Sequence, residues 1–163
     1  MPIPGVEQPA YREISETLRL RRYDGTADFA LPWYRDEELV YLVDGVRKAY
    51  EREYMYDMYN YLNAHGELYF IEAQADGAWT PIGDVTFSQE DMPIVIGEAE
   101  YRGRGVGQKV IRALIDRGRA LGYDRLGVRE IYDFNTASIR CFTACGFAPV
   151  EQTDKGWRYE AKL

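Results

Sequence analysis

The chain is poor in the residues that staple or metallate small proteins, with two cysteines and one histidine among 163 residues. Cys141 and Cys145 stand four apart in one apolar-periodic segment, so they read as small buried hydrophobes and not as a disulfide framework. With so few Cys and His no metal site is expected. His65, in Ala-His-Gly, reads as a turn residue. No apolar run approaches the roughly 20 residues that span a bilayer, and the N-terminal MPIPGVEQPA lacks a basic-then-apolar leader pattern. The cytoplasm is therefore the expected compartment, with no membrane partner. Internal repeats, low-complexity runs and linkers are also missing, so residues 1–163 are expected to form a single domain around one core.

Positive charge is scarce in one part of the chain only. Residues 1–100 carry 20 Asp/Glu against 8 Lys/Arg, whereas residues 101–163 carry 12 Lys/Arg against 7 Asp/Glu. The acidic part suits a cationic co-substrate such as an amine, and the basic part suits a polyanion. No basic stripe lies outside the glycine-rich segment described next, so nucleic acid is not an expected partner.

That segment is EYRGRGVGQKVIRALIDRGRALGY, from Glu100 to Tyr123. Gly103, Gly105 and Gly107 run into apolar residues at Val106, Val110, Ile111, Leu114, Ile115 and Leu121, the spacing of a one-faced helix. Gly122 stands where a helix commonly stops in the left-handed region. A glycine turn that opens a helix aims unpaired N–H groups and the positive end of the helix dipole at one point, which makes an anion site. Gln108 replaces the third glycine of a dinucleotide fingerprint, and the P-loop spacing is absent.

The remaining elements follow from period and punctuation. Residues 1–16 read as partly extended and 18–24 as a first strand. Residues 26–64 read mainly as helices, including a Tyr- and Met-rich stripe at Tyr54, Met55, Met58, Tyr59 and Leu62 that is expected in the core. Strands are expected at 67–74 and 79–88 around an Asp76-Gly77 turn, then at 93–101, 123–132, 147–153 and 156–163, with a helix over 135–145. A strand beyond a helical crossover is parallel to its predecessor. The class is α/β with a mixed sheet.

Arg102, Gly105 and Gly107, as Arg-x-x-Gly-x-Gly, resemble the pyrophosphate loop of the GNAT superfamily of acyl-CoA-dependent N-acetyltransferases. A second block, EIYDFNTASIRCFTACGF from Glu130 to Phe147, is similar to the family's segment in which an Asn opens a helix closed by Gly-Phe. The motif style is that of the branch holding ribosomal-protein-alanine and aminoglycoside 6′-N-acetyltransferases. The resemblance implies the GNAT fold, a mixed sheet of about seven strands whose parallel fourth and fifth strands splay apart, flanked by about four helices. It implies acetyl-CoA as co-substrate, its pyrophosphate on Gly103, Arg104, Gly105, Val106, Gly107 and Gln108 with Arg102 alongside. Its pantetheine arm would lie on the main chain of Val95, Ile96 and Gly97, and Asn135 and Phe142 would contact the cofactor. An amide near Ile96 would polarise the thioester carbonyl, and Glu130 would be the general base, with Asp84, Asp91 and Glu98 in reserve. Trp33, Tyr34, Tyr56, Asp57 and Asp84 would frame the acceptor, which could be a small cationic amine, an aminoglycoside-like compound or a protein N-terminus. A homodimer is left open.

Phe142 departs from the family, which commonly carries there a Tyr that protonates the departing thiolate. That keeps a second reading, a catalytically silent acyl-CoA-binding module.

Overall fold

Alternation builds the first hairpin of the structure, a computed structural model that describes residues 1–163. Leu18 and Leu20 are buried between partly exposed Arg19 and Arg21. The elements run β1 (Tyr11–Ser15), β2 (Leu18–Arg22), α1 (Leu31–Tyr34), α2 (Glu37–Asp44), α3 (Arg52–His65), β3 (Glu67–Ala75), β4 (Ala78–Phe87) and β5 (Ile94–Ile96). They continue α4 (Val106–Ala120), β6 (Arg125–Tyr132), α5 (Thr136–Ala144), β7 (Ala148–Gln152) and β8 (Gly156–Lys162), an α/β chain. No helix is long and apolar enough to cross a membrane.

The eight strands form two sheets, ordered β1-β2-β3-β4-β5 and β6-β8-β7. This corrects the expected seven-stranded mixed sheet. The strands expected as fourth and fifth are β5 and β6, which share no ladder, because each is an edge strand of its own sheet and pairs antiparallel with β4 or β8. The additional strand, β1, has an outer face of Tyr11, Glu13 and Ser15, so no apolar alternation marks it. There are five helices where about four were expected, since residues 30–45 hold both α1 and α2. The expected strand 93–101 keeps only Ile94–Ile96, because the amides of Gly97 and Glu98 both donate to the Ile82 carbonyl and end the ladder in a bulge.

The chain divides into two compact units, Met1–Thr86 with Ile94–Arg102, and Phe87–Pro93 with Gly103–Leu163. The first has an aromatic core of Tyr23, Trp33, Tyr34, Tyr50, Tyr59 and Phe70. Tyr59 meets Phe70 edge-on at 5.4 Å and 74°, an arrangement aromatic quadrupoles favour. The α3 stripe splits as expected for a core helix, with Met55 and Tyr59 buried, although Tyr54 is exposed. In the second unit α4 buries Val110, Ile111, Leu114 and Ile115. It stops at Gly122 (φ +82°), whose N–H donates to Arg119 while that of Tyr123 donates to Gly118. These two bonds satisfy carbonyls the helix end leaves open. Gly146 closes α5 in the same way and brings Phe147 against Phe142.

Candidate functional site

The glycine turn is shaped as the sequence demands. Gly103 (φ +72°) and Gly105 (φ +78°) lie in the left-handed region, and nothing stands within 4 Å of where a Cβ on either would sit. Gly105 is the N-cap of α4, and no side chain caps the helix. The amides of Val106, Gly107 and Gln108 therefore open the helix without a side-chain acceptor, in a setting that suits an anion. Arg104 is exposed beside them. Gly107 has a different task, since a Cβ there would lie 3.0 Å from Cys141 Sγ. Cys145 Sγ donates to the Gln108 carbonyl at 3.6 Å, so α5 braces the first turn of α4. Burial pushes the Cys141 thiol up to about 11, which keeps it protonated and inert.

Asn135 is the N-cap of α5, its Oδ1 accepting from the Ser138 amide at 3.2 Å. Phe142 is only 2% exposed and packs edge-on against Phe147 at 5.1 Å. The ring is part of the helix-closing cluster. Glu130 also has a structural task. Its Oε2 accepts from Thr153 Oγ1 at 2.5 Å and from the Lys155 amide at 3.2 Å, which pins the β7–β8 turn. Asp91 Oδ1 similarly accepts the amides of Met92 and Arg129.

In the other unit β5 is a sheet edge with one side unpaired in the ladder. The Gly97 amide is held by Ile82, so of the expected main-chain groups that one is already engaged. Arg102 lies back along the strand, its Nε donating to the Ile96 carbonyl at 2.8 Å and Nη2 to the Gly97 carbonyl at 3.0 Å. A Cβ on Gly97 would meet the Trp33 ring at 2.2 Å, so only glycine fits over the indole. Trp33 Nε1 in turn holds Glu98 Oε1 at 2.9 Å. Trp33 and Tyr34, expected to frame the acceptor, are 3% and 1% exposed. They are core residues that hold polar neighbours in position.

Asp84 is the group whose setting the sequence concealed. It sits on β4 opposite Val95 and is 2% exposed. Its Oδ2 accepts both the Tyr34 hydroxyl at 2.6 Å and the Tyr59 hydroxyl at 2.8 Å. Burial pushes the carboxyl up to about 6 while the two hydroxyls pull it down. Tyr56 and Asp57 meet elsewhere, on a cleft of about 510 Å³ that Asp28, Arg52 and Glu53 also line. The Tyr56 hydroxyl takes the Ala27 amide and donates to Asp28 Oδ1 at 2.8 Å. That bond, with Arg52 beside it, holds the Asp28 carboxyl below its ordinary value.

A model of the acetyltransferase (GNAT) family matches residues 27–147. No curated protein matches the chain. Among solved structures, a domain from Methanocaldococcus jannaschii gives a TM-score of 0.75 at 17% identity, over 90% of this chain and 98% of the other. The aminoglycoside acetyltransferase AAC(6')-Ib with coenzyme A and kanamycin gives 0.69 at 15% identity, over 90% and 95%. The GNAT domain of PAT from S. lividans gives 0.66 at 16% identity, over 90% and 90%. Likeness at these identities is likeness of fold.

Proposed function

The chain belongs to the acetyltransferase (GNAT) family, and from that membership we propose that it moves an acetyl group from acetyl-CoA to a primary amine by direct attack. The observation that carries this reading is the family match, which spans the uncapped glycine turn and the edge strand β5. Acetyl-CoA supplies an acyl group already joined to a thiol leaving group. The amides of residues 103–108 hold its diphosphate, and Arg104 adds charge. The open edge of β5, at Val95 and Ile96, takes the pantetheine arm as an added strand. An amide near Ile96 polarises the thioester carbonyl.

An amine with a pKa of about 10.4 is almost wholly protonated at neutral pH, so a base must take a proton before nitrogen attacks. We assign that task to Asp84, a buried carboxylate with a value near the useful range and opposite Val95. Glu130 is tied to its turn. As the C–N bond forms and the C–S bond breaks, the thiolate takes its proton from water, because Phe142 offers none. A cationic acceptor suits the negative charge of residues 1–100, which carry 20 Asp/Glu against 8 Lys/Arg. Neighbours of the fold have been crystallised with paromomycin, ribostamycin and kanamycin, which supports a polycationic amine as the acceptor.

Thermal shift with acetyl-CoA, CoA and ATP, followed by CoA release across a panel of amines, tests the reading. Acetyl-CoA and CoA should raise the melting temperature and ATP should not, with thiol appearing only when an amine is present. The buried Phe142 favours one rival, a silent acyl-CoA-binding module, which would give the shift and no thiol with any amine. For Glu130→Ala the expected outcome is a stability loss of about 1 kcal/mol, read from the urea midpoint, with kcat unchanged. A kcat fall of tenfold or more would return Glu130 to the role of base.

A further inference from the structure

We propose that Tyr34 and Tyr59 are positioning residues that hold the buried Asp84 carboxylate ionised and oriented, one oxygen locked by two hydroxyls and the other left for the acceptor's proton. The inference rests on the reading of Asp84 as base, and it assigns a task to two side chains that composition alone would place in the core.

The geometry is specific. Both hydroxyls fall on Oδ2, and no protein donor falls on Oδ1. The groups that face Asp84 are Tyr34 from α1 and Tyr59 from α3, with Val95 opposite it on β5, and no arginine or lysine pairs with it. Each tyrosine ring is fixed independently of the carboxylate. Tyr34 stacks on Tyr50 at 5.2 Å and 14°, its carbonyl accepting the Tyr50 amide. Tyr59 lies edge-on to Tyr34 at 6.0 Å and 88° and against Phe70. Rings clamped in this way cannot follow the carboxylate if it turns, so they dictate where Oδ2 sits. A proton on Oδ2 would displace one of the two donors, in a site only 2% exposed. Two donors on one oxygen thus oppose protonation of a group that burial alone would keep neutral. A buried carboxylate held only by neutral donors leaves Oδ1 as strong an acceptor as the site can offer.

Tyr34→Phe and Tyr59→Phe each remove one hydroxyl and keep the ring. The loss of a hydrogen bond to a charged group should move Asp84 upward by about one to two pH units. Two readouts follow. In the absence of any ligand, melting temperature against pH, taken relative to Asp84→Asn in the same background, should show its fall displaced to higher pH in each tyrosine variant. In turnover, the acid limb of kcat/KM should move up in step while the KM for acetyl-CoA stays constant. If the melting profile of both variants keeps the wild-type window, the proposal is overturned whatever happens to activity. If the window moves but turnover is indifferent to Asp84→Asn, the tyrosine pair is supported as the control on Asp84 and the assignment of Asp84 as base falls.

Discussion

Asp84→Asn is expected to remove a pH-dependent weakness from the protein and to cut kcat by about 10²–10⁴-fold. Burial holds the Asp84 carboxyl at about 6 against an ordinary 3.8. Between those values the native state keeps a proton that the unfolded chain releases. The contribution of Asp84 to stability is therefore fully present below about 3.8 and lost as pH rises through about 6. The gap corresponds to about 3 kcal/mol at neutral pH, or about 6–12 °C in melting temperature for a chain of this size. Melting temperature of the wild type minus that of the variant should fall by that amount between pH 4 and pH 7.5. The depressed value of Asp28 and the raised value of Asp91 act equally in both proteins and drop out of the difference. A flat difference would mean that the Asp84 carboxyl titrates in the folded protein as it does in the unfolded chain, so that burial does not raise it, and full turnover by the variant would remove it from the reaction. The two effects have opposite signs for the organism. A carboxylate that weakens the fold at working pH is worth keeping only for what its charge does.

The parts of the chain that local rules govern were legible in the sequence. Gly122 and Gly146 end their helices with positive φ, the Asp76-Gly77 turn has φ of +51° and +77°, and Asn135 caps α5. In each case a few neighbouring residues decide the backbone. The first strand, β1, was missed because its ladder with β2 depends on partners at Arg19, Leu20 and Arg21 and on no apolar alternation of its own. The shortening of β5 was missed because the bulge is set by the Ile82 carbonyl, and the bond of Glu130 was missed because Thr153 lies 23 residues away. Asp84 is the clearest case. Its spacing in the sequence matches that of any strand carboxylate, whereas its chemistry comes from Tyr34 and Tyr59, 50 and 25 residues earlier. Type and period announce an anion turn built from consecutive amides, but a buried acid tuned by distant hydroxyls exists only after folding.

Gly105→Glu is expected to abolish the thermal shift given by acetyl-CoA while leaving the protein folded. In the wild type, ligand at a hundred times its dissociation constant should add about 2.7 kcal/mol, or about 5–10 °C. The substitution acts on the turn in two ways. A non-glycine residue at φ +78° costs about 1–2 kcal/mol in backbone strain, and a carboxylate at the N-terminus of α4 occupies the amides and the dipole that a diphosphate would use. Space is not the obstacle, because no atom lies within 4 Å of the new Cβ, so the helix should still form. Gly105→Ala carries the strain without the charge. If that variant keeps most of the shift while Gly105→Glu loses it, the loss reports competition for the anion site. Equal loss in both would mean that the left-handed turn itself matters more than its potential. An undiminished shift in Gly105→Glu would place the diphosphate away from this turn, and with it would go the arrangement proposed for the thioester.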